Sequence, residues 1–102
     1  MEKRKWTFNG FTLTVEKVGE PGKYVVEFDG GIDYNPDGSP ELRGERKEVE
    51  ADLDFIFTPK RAMSNTDNRF ELNFFLESKV EKFENWLEKT IKNYRAVPED
   101  IT

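Results

Sequence analysis

Six consecutive residues, Asp33-Tyr34-Asn35-Pro36-Asp37-Gly38, carry oxygen-bearing side chains at alternate positions ahead of a glycine. That spacing opens a calcium loop, in which hard oxygen ligands converge on one cation. Position twelve, where a bidentate glutamate belongs, holds Gly44, and Glu45 comes one place late. Pro36 and Pro40 also remove amides such a loop uses. Asp33, Asn35 and Asp37 are therefore candidate ligands for a weak calcium site at most. A hairpin turn explains the same residues, because Asp and Asn bond their own backbone in turns.

A second constellation is the acidic series Glu48, Glu50, Asp52 and Asp54. Read as a strand, alternate residues lie about 6.7 Å apart and all four carboxylates share one face. Such a row can dock on a basic groove and stand in for phosphates. The same charges would also suit a solvated strand face that resists edge-to-edge pairing. Val18, Val25, Ile56 and Phe75 fall off the inward apolar pattern, and a cluster of them would make a contact patch. Ile56 and Phe75 are the candidate apolar anchors beside the acidic row.

Other chemistries lack their residues. The chain has no cysteine and no histidine, so thiol chemistry and imidazole acid–base or metal work are excluded. Ser39, Ser64 and Ser78 have no histidine to activate them and sit in no Ser-x-x-Lys pattern. The outward phase of Asp52 and Asp54 argues against a desolvated acid–base pair. No catalytic residues and no cofactor are expected. Lys3, Arg4 and Lys5 adjoin Trp6 and Phe8, an arrangement that can stack single strands. With 21 acidic against 16 basic residues and a pI near 4.8, direct nucleic-acid binding is disfavoured.

The 102 residues suit one domain that buries about two-thirds of its unfolded surface. Charged residues reach 36% and the apolar set 35%, a balance that leans toward disorder. Fourteen per cent aromatic content and its periodic placement argue for a folded chain. No apolar run approaches the ~20 residues of a membrane span, and the basic cluster in MEKRKWTF has no apolar stretch behind it, so it does not read as a secretory signal. A cytoplasmic protein is the expectation.

The elements follow from turns and periodicity. Asn9-Gly10 suits a two-residue hairpin that sets Phe8 against Phe11, Trp6 against Leu13 and Arg4 against Val15. Glu20-Pro21-Gly22-Lys23 reads as a type II turn that sets Val15 against Phe28. Asn35-Pro36-Asp37-Gly38 reads as a type I turn. Beyond it, Val49, Ala51, Leu53, Phe55 and Phe57 alternate with the acidic row, so residues 45–57 read as a strand. A bulge at Gly30-Gly31 or Gly44 is then needed to restore its phase. Residues 58–69 form an aperiodic loop, and 70–76 a strand with Phe70, Leu72, Phe74 and Leu76 inward. Ser78-Lys79-Val80-Glu81 is a capping box. It opens a helix over 78–95 whose stripe is Val80, Phe83, Leu87, Ile91 and Tyr94.

The fold expected is α+β, an antiparallel meander of five or six strands packed against one C-terminal helix. It makes a single domain over 1–97 with a flexible tail at 98–102. Function points to a non-catalytic protein-binding module, a small acidic inhibitor or immunity-type protein, such as a bacterial or phage accessory protein, that occludes a basic site on a partner. Two alternatives are a small hydrophobic-ligand or lipid-binding domain, with the helix closing a cupped sheet, and a structural subunit of an assembly, for which a homo-oligomer is possible.

Overall fold

The computed structural model describes residues 2–61, 68–94 and 97–100. Strands β1 (Glu2–Phe8), β2 (Phe11–Gly19) and β3 (Gly22–Gly30) form a meander. A small hairpin of β4 (Ile32–Tyr34) and β5 (Pro40–Leu42) follows, then helix α1 (Gly44–Phe57). Next come β6 (Lys60–Arg61), β7 (Arg69–Phe74), helix α2 (Glu77–Tyr94) and β8 (Val97–Asp100). The main sheet runs β6-β7-β3-β2-β1-β8, and β4-β5 form a separate sheet. The class is α+β, with an antiparallel sheet and a C-terminal helix.

The first hairpin pairs Phe8 with Phe11, Trp6 with Leu13 and Arg4 with Val15, the register its Asn-Gly turn dictates. In the second hairpin Val15 faces Val26 and Leu13 faces Phe28, two residues away from the simple pairing, and the register shifts between Lys17 and Gly19. A two-residue offset leaves every side chain on its face. It also sets Thr14 against Glu27 and Glu16 against Val25, so no two carboxylates face each other there.

Residues 44–57 depart from expectation: they form a helix, not a strand. The apolar alternation there coexists with a helical series, Arg46, Val49, Glu50, Leu53 and Phe57. The first four are buried and Phe57 packs against the core. Gly30, Gly31 and Gly44 all have positive φ, yet they create no bulge. They turn the chain out of the main sheet and into the β4–β5 hairpin. Residues 58–69 are likewise not all loop, since β6 and the start of β7 fall within them. Residues 62–67 lie outside the described residues. Residues 98–100, expected within the flexible tail, belong to β8, which pairs with β1.

Both helices contribute to one core on the inner face of the sheet. Trp6, Phe8, Phe11, Leu13, Val15, Tyr24, Val26, Phe28, Phe70, Leu72 and Phe74 meet Val49 and Leu53 of α1 and Phe83, Trp86 and Leu87 of α2. Phe57 joins the helices, its ring 5.4 Å from Phe83 and 5.7 Å from Trp86. The α2 stripe lies where its spacing puts it, although the helix starts at Glu77, one residue ahead of the capping-box serine.

Arg46 is the unusual member of this interior, fully buried beside Glu50. Its Nε donates to Glu50 Oε2 at 3.1 Å, its Nη1 to the Gly30 carbonyl and its Nη2 to Asn68 Oδ1 at 2.6 Å. The guanidinium also sits 5.1 Å from the Phe28 ring centroid. Gly31 makes room for it: a Cβ there would stand 2.9 Å from Arg46 Cδ. Replacing Arg46 by Met leaves a buried carboxylate without its guanidinium, and the expected loss in urea unfolding is about 3–5 kcal/mol. The double change Arg46→Met with Glu50→Leu should lose clearly less; an equal or larger loss would contradict this account of the pair.

Candidate partner-binding surfaces

Burying Arg46, Val49, Glu50 and Leu53 fixes the rotation of α1. At 3.6 residues per turn the opposite stripe is Glu48, Ala51, Asp52 and Phe55, and all four are exposed. Phe55 stands out as the most exposed large apolar side chain, at 90%. The acidic series is thus split. Glu48 and Asp52 point outward together, one turn apart. Asp54 is half-buried. Glu50, expected on the partner-facing row, is buried at 2% against Arg46, so it is corrected to a structural residue.

The outward carboxylates register on α2. Burial, followed by the charges of Glu48 and Asp52 and a hydrogen bond to Glu48, pushes the Tyr94 phenol above its ordinary value. The phenol therefore keeps its proton and donates to the acidic face. Sequence reasoning could not place Tyr94 beside this face while α1 was read as a strand.

A second surface gathers the apolar residues that fell off the inward pattern. Val18, Val25, Ile56 and Phe75 all line one groove of about 710 Å³. Phe75 is 78% exposed and the adjoining Leu76, expected inward, is 61% exposed. Lys23 and Lys79 also line the groove, against the single carboxylate of Glu71. The groove is thus apolar with a cationic balance, in a chain of net charge −5.

The candidate calcium ligands are engaged in their hairpin. Asp37 Oδ1 accepts from the Ser39 amide and hydroxyl at 2.9 and 2.6 Å, and Asn35 Nδ2 donates to Ser39 Oγ at 3.0 Å. The hydroxyl and amide of Ser39 hold the Asp37 carboxyl below its usual value. Asp33 pairs with Arg43 at 2.6 Å. Among the described residues no group of three or more acidic side chains is arranged to hold a metal.

Arg4 and the aromatic residues of β1 turn inward, while Lys3 and Lys5 alternate to the other face, Lys3 exposed beside Glu16. Trp6 and Phe8 are core residues, and Arg4 lies over the Trp6 ring at 5.6 Å. Arg4 also makes a two-pronged bond to Glu84, at 2.9 and 3.0 Å, while the Tyr24 hydroxyl donates to Glu84 Oε1 at 2.9 Å. This network clamps α2 onto β1 and β3. Both ends of the Arg4–Glu84 pair are visible in the sequence, but 80 residues apart, so local pattern could not join them.

No family model, no curated protein and no solved structure matches the chain. Among the described residues no helix is long and apolar enough to cross a membrane.

Glu84 carries a pH signature. Burial raises its pKa, but the bonds from Arg4 and Tyr24 and the charges of Arg4 and Lys17 outweigh it and hold the carboxyl below its ordinary value. A carboxyl depressed in the folded state adds stability above its unfolded pKa of about 4.3, and that stability is lost as pH falls through the folded value. The stability gap between the wild type and Glu84→Gln should therefore be full at pH 6 and shrink toward pH 3 in denaturant titrations. A gap that stays constant across that range would contradict the assignment.

Proposed function

We propose that the protein is a non-catalytic binding module. It acts as a small acidic inhibitor or immunity-type protein that covers a basic site on a protein partner. The observation that carries this reading is the outward stripe of α1, where the fully presented Phe55 follows Glu48 and Asp52 on one face. An exposed aromatic ring is costly to leave in water and is the residue class that anchors interfaces. Carboxylates around it speed the encounter with a cationic surface, and rim charges act mainly on association rate.

Two further features support the reading. The net charge of −5 is concentrated in residues 1–54, which hold 13 acidic and 8 basic residues. Away from α1, Glu84 is engaged by Arg4 and Tyr24, and Asp33 pairs with Arg43. The lipid-carrier alternative gains less support, because aromatic rings pack between sheet and helices, mostly tilted or edge-on, with Tyr24 and Phe83 centroids 4.7 Å apart and Phe83 fully buried.

The test begins with affinity capture from lysate of the native cells at low and high salt. Binding kinetics are then measured on the captured protein. Glu48→Lys with Asp52→Lys should slow association about tenfold or more at low salt and much less at high salt. Phe55→Ser should mainly speed dissociation. A partner that binds all three forms with equal rates would refute this surface as the interface.

A further inference from the structure

The groove beside β7 contains an unfinished sheet edge, and we propose that it binds an extended segment of a protein partner by strand addition. This site is separate from the α1 face and does not depend on it.

The main-chain phase of β7 follows from one bond. The Phe28 amide donates to the Asn68 carbonyl at 2.8 Å, and the β3–β7 register continues through Val26 with Phe70, Tyr24 with Leu72 and Gly22 with Phe74. In an antiparallel ladder, hydrogen-bonded and non-bonded pairs alternate. Residues 68, 70, 72 and 74 therefore turn their amides and carbonyls toward β3. Residues 69, 71 and 73 turn theirs to the opposite edge, and Phe75 is the next position in that phase.

On that edge β6 pairs Lys60 with Glu71 and then stops. Extending the register would bring Thr58 opposite Asn73. Thr58 is left-handed, with φ 46°, and its amide is committed to the Asp54 carbonyl at 3.1 Å. Pro59 has no amide to offer. Among the described residues the amide and carbonyl of Asn73 have no main-chain partner, and they face the groove that Thr58, Pro59 and Phe75 line. The helix ending at Thr58 is thus what prevents the chain from completing its own sheet.

An entering strand would exchange both bonds with Asn73. Its side chains, alternating in direction, would meet Ile56 and Phe57 on one side and Phe75 on the other. Lys23 and Lys79 outnumber Glu71 in the groove, so the segment that fits is apolar at alternate positions and carries an acidic residue. This is the strand-addition mode, in which main-chain bonds give affinity and alternate side chains give specificity.

The test uses the whole protein against a displayed library of random octapeptides. Recovered peptides should share alternating apolar positions with an acidic residue. In amide-resolved NMR, the tightest of them should shift Asn73 and Phe75 and slow exchange of the Asn73 amide about tenfold. Methylating the peptide nitrogen that faces Asn73 should weaken binding about tenfold, the loss of roughly one main-chain bond. Phe75→Ser should weaken it too, while Glu48→Lys with Asp52→Lys should leave it unchanged. Failure to enrich any peptide, shifts confined to α1, a peptide that binds as a helix, or an N-methylated analogue that binds equally well would each overturn the proposal.

Discussion

The buried guanidinium of Arg46 is the constraint on which the arrangement of this protein turns. Moving a cation from water into a protein interior costs several kcal/mol unless partners replace its hydration. Here Glu50 supplies the opposite charge from the same helix. The Gly30 carbonyl and Asn68 complete the donor set from the end of β3 and the start of β7. Three segments distant in sequence must therefore be in place together. A buried pair of this kind is weak evidence for stability but strong evidence for a fixed register, because no other rotation of α1 would satisfy the guanidinium.

That rotation propagates. Once Arg46 and Glu50 point inward, Glu48, Asp52 and Phe55 have to point outward, and neither the charge nor the ring is free to retreat. The exit of α1 is set by the same phase. Thr58 closes the helix with its amide turned back to Asp54, and the chain reaches β7 only in time for two residues of pairing. The acidic face and the unfinished edge are thus two consequences of one buried interaction, even though they present different chemistry.

Much of the fold was legible in the sequence because it was specified locally. Asn9-Gly10 determines a register by itself, and Phe83, Leu87 and Ile91 recur at helical spacing. The inward faces of β3 and β7 alternate through their strands, and that of β2 does so from Phe11 to Val15. Residues 44–57 were not legible in this way because their two decisive inward side chains, Arg46 and Glu50, count as polar in any pattern of apolar residues. Removing them leaves Val49, Leu53 and Phe57 beside Ala51 and Phe55, which alternate as a strand would. A compositional signal was present: of the fourteen residues only Val49 and Ile56 are β-branched, while Glu, Arg, Lys, Ala and Leu favour helix. The groove was half legible. Val18, Val25, Ile56 and Phe75 stood out as off-pattern, but their convergence depends on where α1 ends, which is a tertiary fact.

The shape of the edge beside β7 limits how far a second strand can extend along the donor and acceptor of Asn73, which have no main-chain partner among the described residues. A long flat edge recruits copies of itself, and proteins usually blunt such edges with charge, proline or a covering segment. Here β6 covers one side of the opening, Pro59 stands at its mouth, and α2 begins two residues past Phe75. Only a short stretch around Asn73 remains, too short to nucleate sheet growth. It is still long enough to orient a strand whose affinity comes from the apolar side chains around it. Blunting by flanking elements therefore separates docking from aggregation through length alone, and the surface lysines Lys23 and Lys79 add a charge preference that a second copy's matching edge, carrying the same lysines, would not satisfy.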